Sequence, residues 1–507
     1  MSASVPREVS HTTLGYHGRR MPASPIYTTP AIRELEARAG SADLMERAGL
    51  AAAELARSLC GDTARSILVL AGPGNNGGDA LEVATHLKRW FFRVTAVFAG
   101  DRGKLSGDAG AALAKWEAAG GTLLDAIPSG ARFDLAVDGL FGIGLKRPLE
   151  GRYAALVEQL NALRVPVLAL DIPSGIDADT GAVMGRAVRA ARTITFIAYK
   201  PGQLTLDGPD HCGELRVDAL GLDPPALLEP EGALLDADIL AAAIAPRPRN
   251  FHKGMAGSVG ILGGAAGMVG AAVIAGRAAL RCGAGRVYLG MLASRAPRVD
   301  AVNPELMARA PLALLERGLL DVLVAGPGMG KSEASARALR AALAAPVPLV
   351  LDADALNLIG GSRALSAAAA KRAAPTIMTP HPAEAARLLG KTTGRVQADR
   401  VTAARSIAER YGAFALLKGN GSVIAEPGRR FWINPSGNPG MASAGMGDAL
   451  AGIVAALCAQ GAPPLHALLA GAWLHGAAAD ALAASGSGPV GITASEVIDS
   501  ARALMNA

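Results

Sequence analysis

Aromatic residues are scarce in this chain: Phe, Trp and Tyr make up 4% of its 507 residues, and only 19% are Asp, Glu, Lys or Arg. Half of the residues are hydrophobic, so a disordered polyelectrolyte is excluded. Cysteine is almost absent. Cys60, Cys212, Cys282 and Cys458 stand far apart with no CxxC pair. That argues against a thiolate metal cage and a disulfide framework, and suits a reducing compartment. No long Lys/Arg run occurs, and a net charge of +6 is mild for this length, so nucleic acid is not an expected partner. Residues 1–20 lack the apolar core of a secretory signal and read as a frayed extension, and a cytoplasmic location is expected. Residues 254–276 carry no charge and are long enough to span a bilayer. Glycine recurs throughout them, however, and they read as strand, Gly-rich turn and helix, so no membrane association is expected.

What fills the space instead is small: Ala throughout and 62 glycines. The length exceeds one ordinary core and predicts two or more α/β-sized domains. In the first half, short apolar runs at 66–70, 93–98, 134–137, 165–170 and 193–198 alternate with helix-length patterns at 42–59, through 86–90, and near 109–118 and 156. This predicts a parallel sheet covered on both faces. Residues 222–250 contain Pro224, Pro225, Pro230, Pro246 and Pro248 and read as a linker with a short helix at 236–245. The alternation restarts at 258–262 and continues at 286–289, 322–325, 349–351, 376–378 and 414–417. A hairpin is predicted at 422–426 and 430–434, and helices at 448–460 and 465–484. The domains are expected at 25–222 and 251–505, with 223–250 between them.

Ligands of open parallel sheets bind beyond the carboxyl ends of the strands. Three such loops stand out in the first half. Residues 72–80, GPGNNGGDA, combine glycines that admit a phosphate with the amide side chains of Asn75 and Asn76 and the carboxylate of Asp79. Residues 137–151 place Asp138 at a strand end before a Gly-rich loop with Lys146 and Arg147, an arrangement suited to acid–base work beside a phosphorylated ligand. Residues 168–181 add Asp171 and Ser174. Each loop alone has a bland explanation, an N-cap or a solvated charge. Three polar loops on one sheet converge, and that carries the functional reading.

At these residues the sequence resembles the NAD(P)H-hydrate epimerase family, the YjeF N-terminal domain family, over about residues 25–220. The resemblance implies a Rossmann-like domain that binds hydrated NADH and NADPH (NADHX and NADPHX). It implies substrate contacts at Asn75, Asn76, Gly77, Gly78 and Asp79, at Gly142, Ile143, Gly144, Leu145, Lys146, Arg147 and Pro148, and at Asp171. It implies a potassium ion on Asn76, Asp138 and Ser174, all oxygen donors as a hard cation requires, with Asp138 as the acid–base candidate. Two positions depart from the family pattern: Ala80 where Gly is usual, and Ile143 where Thr is common.

In the second half the strongest signal is residues 434–452, NPSGNPGMASAGMGDALAG. A Gly-rich loop running into a helix start offers backbone N–H groups to a transferring phosphoryl group, and Asp448 can take a proton from a hydroxyl. Its bland alternative is an N-cap. GPGMGKS at 326–332 is one residue too short for a P-loop and is rejected as one. His381 follows a strand with Glu384 nearby.

Together with residues 251–264, 351–357 and 416–424, these motifs resemble the ADP-dependent NAD(P)H-hydrate dehydratase family, with a ribokinase-like fold, over about residues 235–505. The resemblance implies substrate contacts at Ala271, Gly328, His381 and Asp448, and ADP or AMP contacts at Lys418, Gly419, Asn420, Gly421, Ser422 and Gly447. It implies magnesium with the nucleotide, Asp448 as the base, and phosphoryl transfer to the hydrate's hydroxyl followed by loss of phosphate. It also implies a homo-oligomer. Fusing the two activities lets an epimerase return to use the epimer that the dehydratase cannot take. Two rival readings remain at this level: a small-molecule kinase of the ribokinase-like class, and a first domain that binds without catalysing.

Overall fold

The structure, a computed structural model, describes residues 24–40, 43–60, 65–105, 107–428 and 430–507. The extension expected at 1–20 lies outside the described residues. In chain order the first strands are β1 (Ser24–Ile26), β2 (Ser66–Ala71), β3 (Arg93–Phe98), β4 (Leu123–Leu124), β5 (Leu135–Gly139), β6 (Val167–Leu170), β7 (Arg192–Phe196) and β8 (Glu214–Asp218). Strands β2 to β8 form a parallel sheet in the order β4-β3-β2-β5-β6-β7-β8. The chain winds outward in both directions from the β2/β5 pair, which makes that pair the topological switch point. β2 and β5 are buried almost end to end because helices cover both faces, and their sequences, SILVLA and LAVDG, are apolar accordingly.

The second sheet continues with β9 (Gly232–Leu234), β10 (Ser258–Gly263), β11 (Arg286–Met291), β12 (Met307–Ala308), β13 (Val322–Ala325), β14 (Leu349–Leu351), β15 (Thr376–Met378), β16 (Phe414–Leu417), β17 (Ser422–Ala425) and β18 (Phe431–Asn434). Its order is β1-β9-β18-β17-β16-β15-β14-β13-β10-β11-β12. From β16 to β12 all neighbours are parallel, with the switch point at β13/β10. The expected hairpin is β17–β18.

The segment read as a linker is not only a linker. β9 lies inside it and joins the second sheet, parallel to β18 and antiparallel to β1. A three-residue strand among prolines is too short to show a period. β1 likewise precedes the first sheet in sequence but belongs to the second. Glu231 ties the crossing together by accepting from the Thr28 N–H at 3.0 Å and the Thr28 hydroxyl at 2.6 Å. The chain therefore enters through the second sheet, builds the first, and returns.

The uncharged stretch 254–276 is β10, a turn, and the helix Val269–Arg281, all within the second core. The helix Pro464–Ala484 is long and apolar enough to cross a membrane, but most of it is buried inside the second domain. The helices Val269–Arg281 and Met446–Ala459 pack closely, since a Cβ on Gly452 would lie 2.1 Å from the Ala275 carbonyl oxygen and 2.8 Å from Ala278 Cβ, and such small-residue packing explains how so few aromatics suffice. At the β10/β13 switch point a Cβ on Gly263 would lie 2.0 Å from the Pro327 carbonyl oxygen. Backbone cannot rotate away, so Gly263→Ala is expected to destabilise the second domain by about 3 kcal/mol. A lowered thermal midpoint by circular dichroism checks this.

Candidate active sites

At the first switch point β2 and β5 end beside each other. Gly72 donates to the Gly139 carbonyl at 3.1 Å, and a Cβ on Gly72 would stand 1.7 Å from the Leu140 oxygen. The helix Asn75–Arg89 then starts with its free N–H groups toward a cavity of about 650 Å³. Asn75, Asn76 and Asp79 line it from below, Gly142 to Leu145 from the side, Asp171 and Lys200 from β6 and β7, and Arg33 and Glu36 from the helix Thr29–Ala39. Gly77 and Gly78 do not line it. They let the helix approach Gly72 and Met45. Lys146, Arg147 and Pro148 continue the loop as exposed residues that do not line the cavity. Of the two departures, Ile143 lines the cavity, and Ala80 is buried in the core behind it.

Asp171 holds a left-handed backbone, φ +62°, rare for a residue with a side chain. Its carboxylate pairs with the buried ammonium of Lys200, which also donates to Thr195 Oγ1 at 2.8 Å and to the Phe196 carbonyl at 2.9 Å. Gln203 fixes this pair by accepting from the Lys200 N–H at 2.9 Å and donating to the Asp171 carbonyl at 2.6 Å. Burial, then the charges of Asp171, Glu36 and Glu82, push Asp79 well above the usual carboxylate range. Glu36 is raised by burial and by Asp171.

Asp138 is buried and does not line the cavity. It accepts from the Ser174 hydroxyl at 2.7 Å, the Ser174 N–H at 2.8 Å and the Leu140 N–H at 3.3 Å. Burial lifts it to about 6 against these hydrogen bonds. Both polar atoms of the Asn76 side chain are buried without a partner, and that side chain lies against Gly142. A buried amide left unpaired costs free energy unless something occupies its oxygen.

In the second domain the strand ends after β14, β15 and β16 meet the start of the helix Met446–Ala459. Lys418 donates to Asp352 Oδ1 at 2.7 Å, and Thr379 Oγ1 donates to the same oxygen at 2.9 Å. A Cβ on Gly447 would lie 3.0 Å from Lys418 Nζ and 3.2 Å from Asp352 Oδ2. Asp448 follows immediately. The N-cap of its helix is Gly445, at φ +90°, so Asp448 does not cap the helix. Burial, then Asp352, raises Asp448 to about 7, while Lys418 opposes the shift. Burial disfavours the Lys418 ammonium, yet Asp352 and Glu384 outweigh it and its pKa rises.

His381 caps the helix Pro382–Leu389: Nδ1 accepts from Ala383 N–H at 3.0 Å, and Glu384 returns the bond to the His381 N–H at 2.9 Å. Burial raises Glu384 to about 7. Ala271 and Gly328 touch across the β10/β13 switch point, where a Cβ on Gly328 would sit 3.0 Å from Ala271 Cβ. Asp480 holds the Gly-rich loop by accepting from Gly437 N–H at 2.8 Å and Asn438 Nδ2 at 2.9 Å. In the 418–422 loop the Asn420 amide donates to the Leu206 carbonyl of the first domain at 2.8 Å.

Three residues at these sites were not singled out by sequence. Lys200 is the first cation after the end of β7, so the strand-end rule applied to that strand finds it. Asp352 ends β14 in the LDADALN motif and is found the same way. Glu36 comes from a helix ahead of the sheet, which no strand-end rule reaches.

Residues 41–202 match the family model for the YjeF-related protein N-terminus, and residues 259–501 match that for NAD(P)H-hydrate dehydratase. The chain is 39% identical to the bifunctional NAD(P)H-hydrate repair enzyme of Coxiella burnetii, over 95% of this chain and 99% of that one. It is 39% identical to that of Escherichia coli, over 92% and 89%. Among solved structures it is similar to the ADP/ATP-dependent NAD(P)H-hydrate dehydratase of Bacillus subtilis co-crystallized with ATP and magnesium (31% identity, 53% of this chain, 95% of that one, TM-score 0.47). It is also similar to a ribokinase-like superfamily protein of Enterococcus faecalis (25%, 54%, 96%, TM-score 0.49). The α/β reading, with a doubly wound parallel sheet in the first domain and a largely parallel one in the second, stands, and this chain belongs to the family of bifunctional NAD(P)H-hydrate repair enzymes.

Proposed function

We propose that this chain repairs hydrated NADH and NADPH at two sites. The first cavity interconverts the R and S epimers, and the second site dehydrates the S epimer with a phosphoryl group from ADP, leaving AMP and phosphate. The observation that carries this reading is Asp448: a carboxyl raised to about 7, free of any capping duty, beside Lys418 and Asp352 at the end of a Gly-rich loop. A phosphoryl-transfer base needs that position and that pKa.

In the second site Asp448 takes the proton of the hydrate's hydroxyl as its oxygen attacks the terminal phosphorus of ADP. The Gly-rich loop and Lys418 receive the negative charge that spreads over the phosphoryl oxygens. The carbon–oxygen bond then breaks, phosphate leaves, and the adjacent ring proton is lost as the double bond returns. Among the described residues no three His, Cys, Asp or Glu side chains form a metal cage. Magnesium arrives on nucleotide phosphates and takes only one or two carboxylates from a protein. Asp352 and Asp448 are the carboxylates nearest for that duty.

In the first cavity we assign proton transfer to Asp171 and Lys200 rather than to Asp138, because they line the cavity and Asp138 does not. Arg33 and the start of the helix Asn75–Arg89 suit the dinucleotide's phosphates. Asp138, Ser174 and the unpartnered Asn76 oxygen are a hard, all-oxygen donor set that fits potassium. Potassium bound there supplies the positive charge that keeps Asp138 ionised.

Asp448→Asn is expected to lower the dehydration kcat by about 10³-fold with epimerisation intact, and Asp171→Asn to do the reverse. Recovery of reduced-nicotinamide absorbance from single and mixed epimers separates the two. Because Asp448 acts ionised and titrates at about 7, dehydration should fall about tenfold per unit below that pH, as a pH–rate profile reads. Asp138, raised to about 6, binds its proton more tightly folded than unfolded, so stability falls as pH rises from the unfolded value toward 6. A cation offsets this loss. Potassium in place of sodium should therefore raise the first domain's thermal midpoint at pH 8 and hardly at pH 5.

A further inference from the structure

The two sites are joined by a short strap, and it carries an assignment beyond the two reactions. The strap begins at Lys200, paired with Asp171 in the first cavity, and its first turn is pinned by Gln203 to both residues. Two residues later Thr205 reaches the second domain. Its hydroxyl donates to the Gly421 carbonyl at 2.8 Å, lies 3.1 Å from the Asn420 carbonyl, and accepts from Arg400 Nε at 2.8 Å. Leu206 N–H donates to the Asn420 carbonyl at 3.2 Å, and Asn420 Nδ2 donates back to the Leu206 carbonyl at 2.8 Å. These bonds hold Leu206 at φ +59°, a left-handed backbone that a branched apolar residue does not adopt unforced. The fit is tight: a Cβ on Gly421 would lie 1.8 Å from the Leu204 oxygen.

Arg400 lies under the same loop. Its guanidinium is fully buried, and its donors go to Thr205, to Gln397 Oε1 at 2.7 Å, and to the Leu417 and Lys418 carbonyls, each at 3.3 Å. Among the described residues no carboxylate pairs with it. A Cβ on Gly419 would lie 2.7 Å from both terminal nitrogens, so the cation is pressed against the loop backbone. An uncompensated buried cation is costly unless an anion shares its field.

We propose that Thr205 and Arg400 are positioning residues for the nucleotide. Thr205, from the first domain, sets the shape of the 418–422 loop, and the Arg400 charge beneath it favours the anionic nucleotide above. The proposal rests on the reading that 418–422 holds ADP. Neither residue touches the reacting atoms, so the effect belongs in nucleotide affinity and not in turnover.

The test uses the full chain. Thr205→Val keeps the shape and removes the hydroxyl, while Thr205→Ser keeps the hydroxyl. The expected result is a rise of about tenfold in the KM for Mg-ADP with Thr205→Val, a dehydration kcat within about twofold of the parent at saturating ADP, and parent-like behaviour with Thr205→Ser. A merely structural role would lower kcat through loss of active protein and would not split KM from kcat. Hydrogen exchange of the parent chain with and without Mg-ADP distinguishes the two possible failures. Protection at 418–422 together with an unchanged KM in Thr205→Val overturns the role of the strap and leaves the loop reading standing. No protection at 418–422 overturns the loop reading, and the proposal with it.

Discussion

Two glycines press backbone against backbone where each sheet reverses its winding, Gly72 against Leu140 and Gly263 against Pro327. Any side chain at either point would drive the two strand-end loops apart. With Gly72 and Leu140 in contact, the loops on both sides of the first switch point open into one cavity. Asn76, Asp352 and Lys418 stand on strand-end loops or at the start of the helix that follows one, whereas Arg33 and Glu36 reach the first cavity from the helix Thr29–Ala39.

The two sites share an electrostatic plan although their sheets differ. Each has a lysine paired with a strand-end aspartate: the buried Lys200 with Asp171, and the partly buried Lys418 with Asp352. One carboxylate neutralises the cation, and the neighbouring carboxyls then lose solvation without a full counter-charge. Asp79 and Glu36 are raised beside the first pair, and Asp448 and Glu384 beside the second. Asp448 and Glu384, raised to about 7, have the poise that proton transfer at neutral pH requires.

The domains are interlocked rather than strung together. β1 and β9 bracket the first domain in sequence and lie side by side in the second sheet. The Thr205–Asn420 contact closes a second seam on the strap from Lys200. Domain boundaries drawn from composition cannot show this, since the proline-rich stretch that separates the domains in sequence also supplies a strand to one of them.

The sequence by itself determined the parallel α/β alternation, most strand positions to within a residue or two, and the loops that bear Asn76, Asp171, Lys418 and Asp448. Those features are local: an apolar run between turn residues, then glycine and a polar side chain, are read from neighbours in the chain. The tertiary structure alone decided which carboxylates reach the cavity. Asp138 and Asp171 look alike in sequence, each ending an apolar strand, but three hydrogen bonds bury Asp138 while Asp171 faces the cavity with Lys200. It also decided that the Asn420 amide points to the other domain, and that β1, β9, Glu36 and Arg400 matter at all. Burial and charge pairing between residues scores to hundreds of positions apart depend on distances in space, and no periodicity along the chain encodes them.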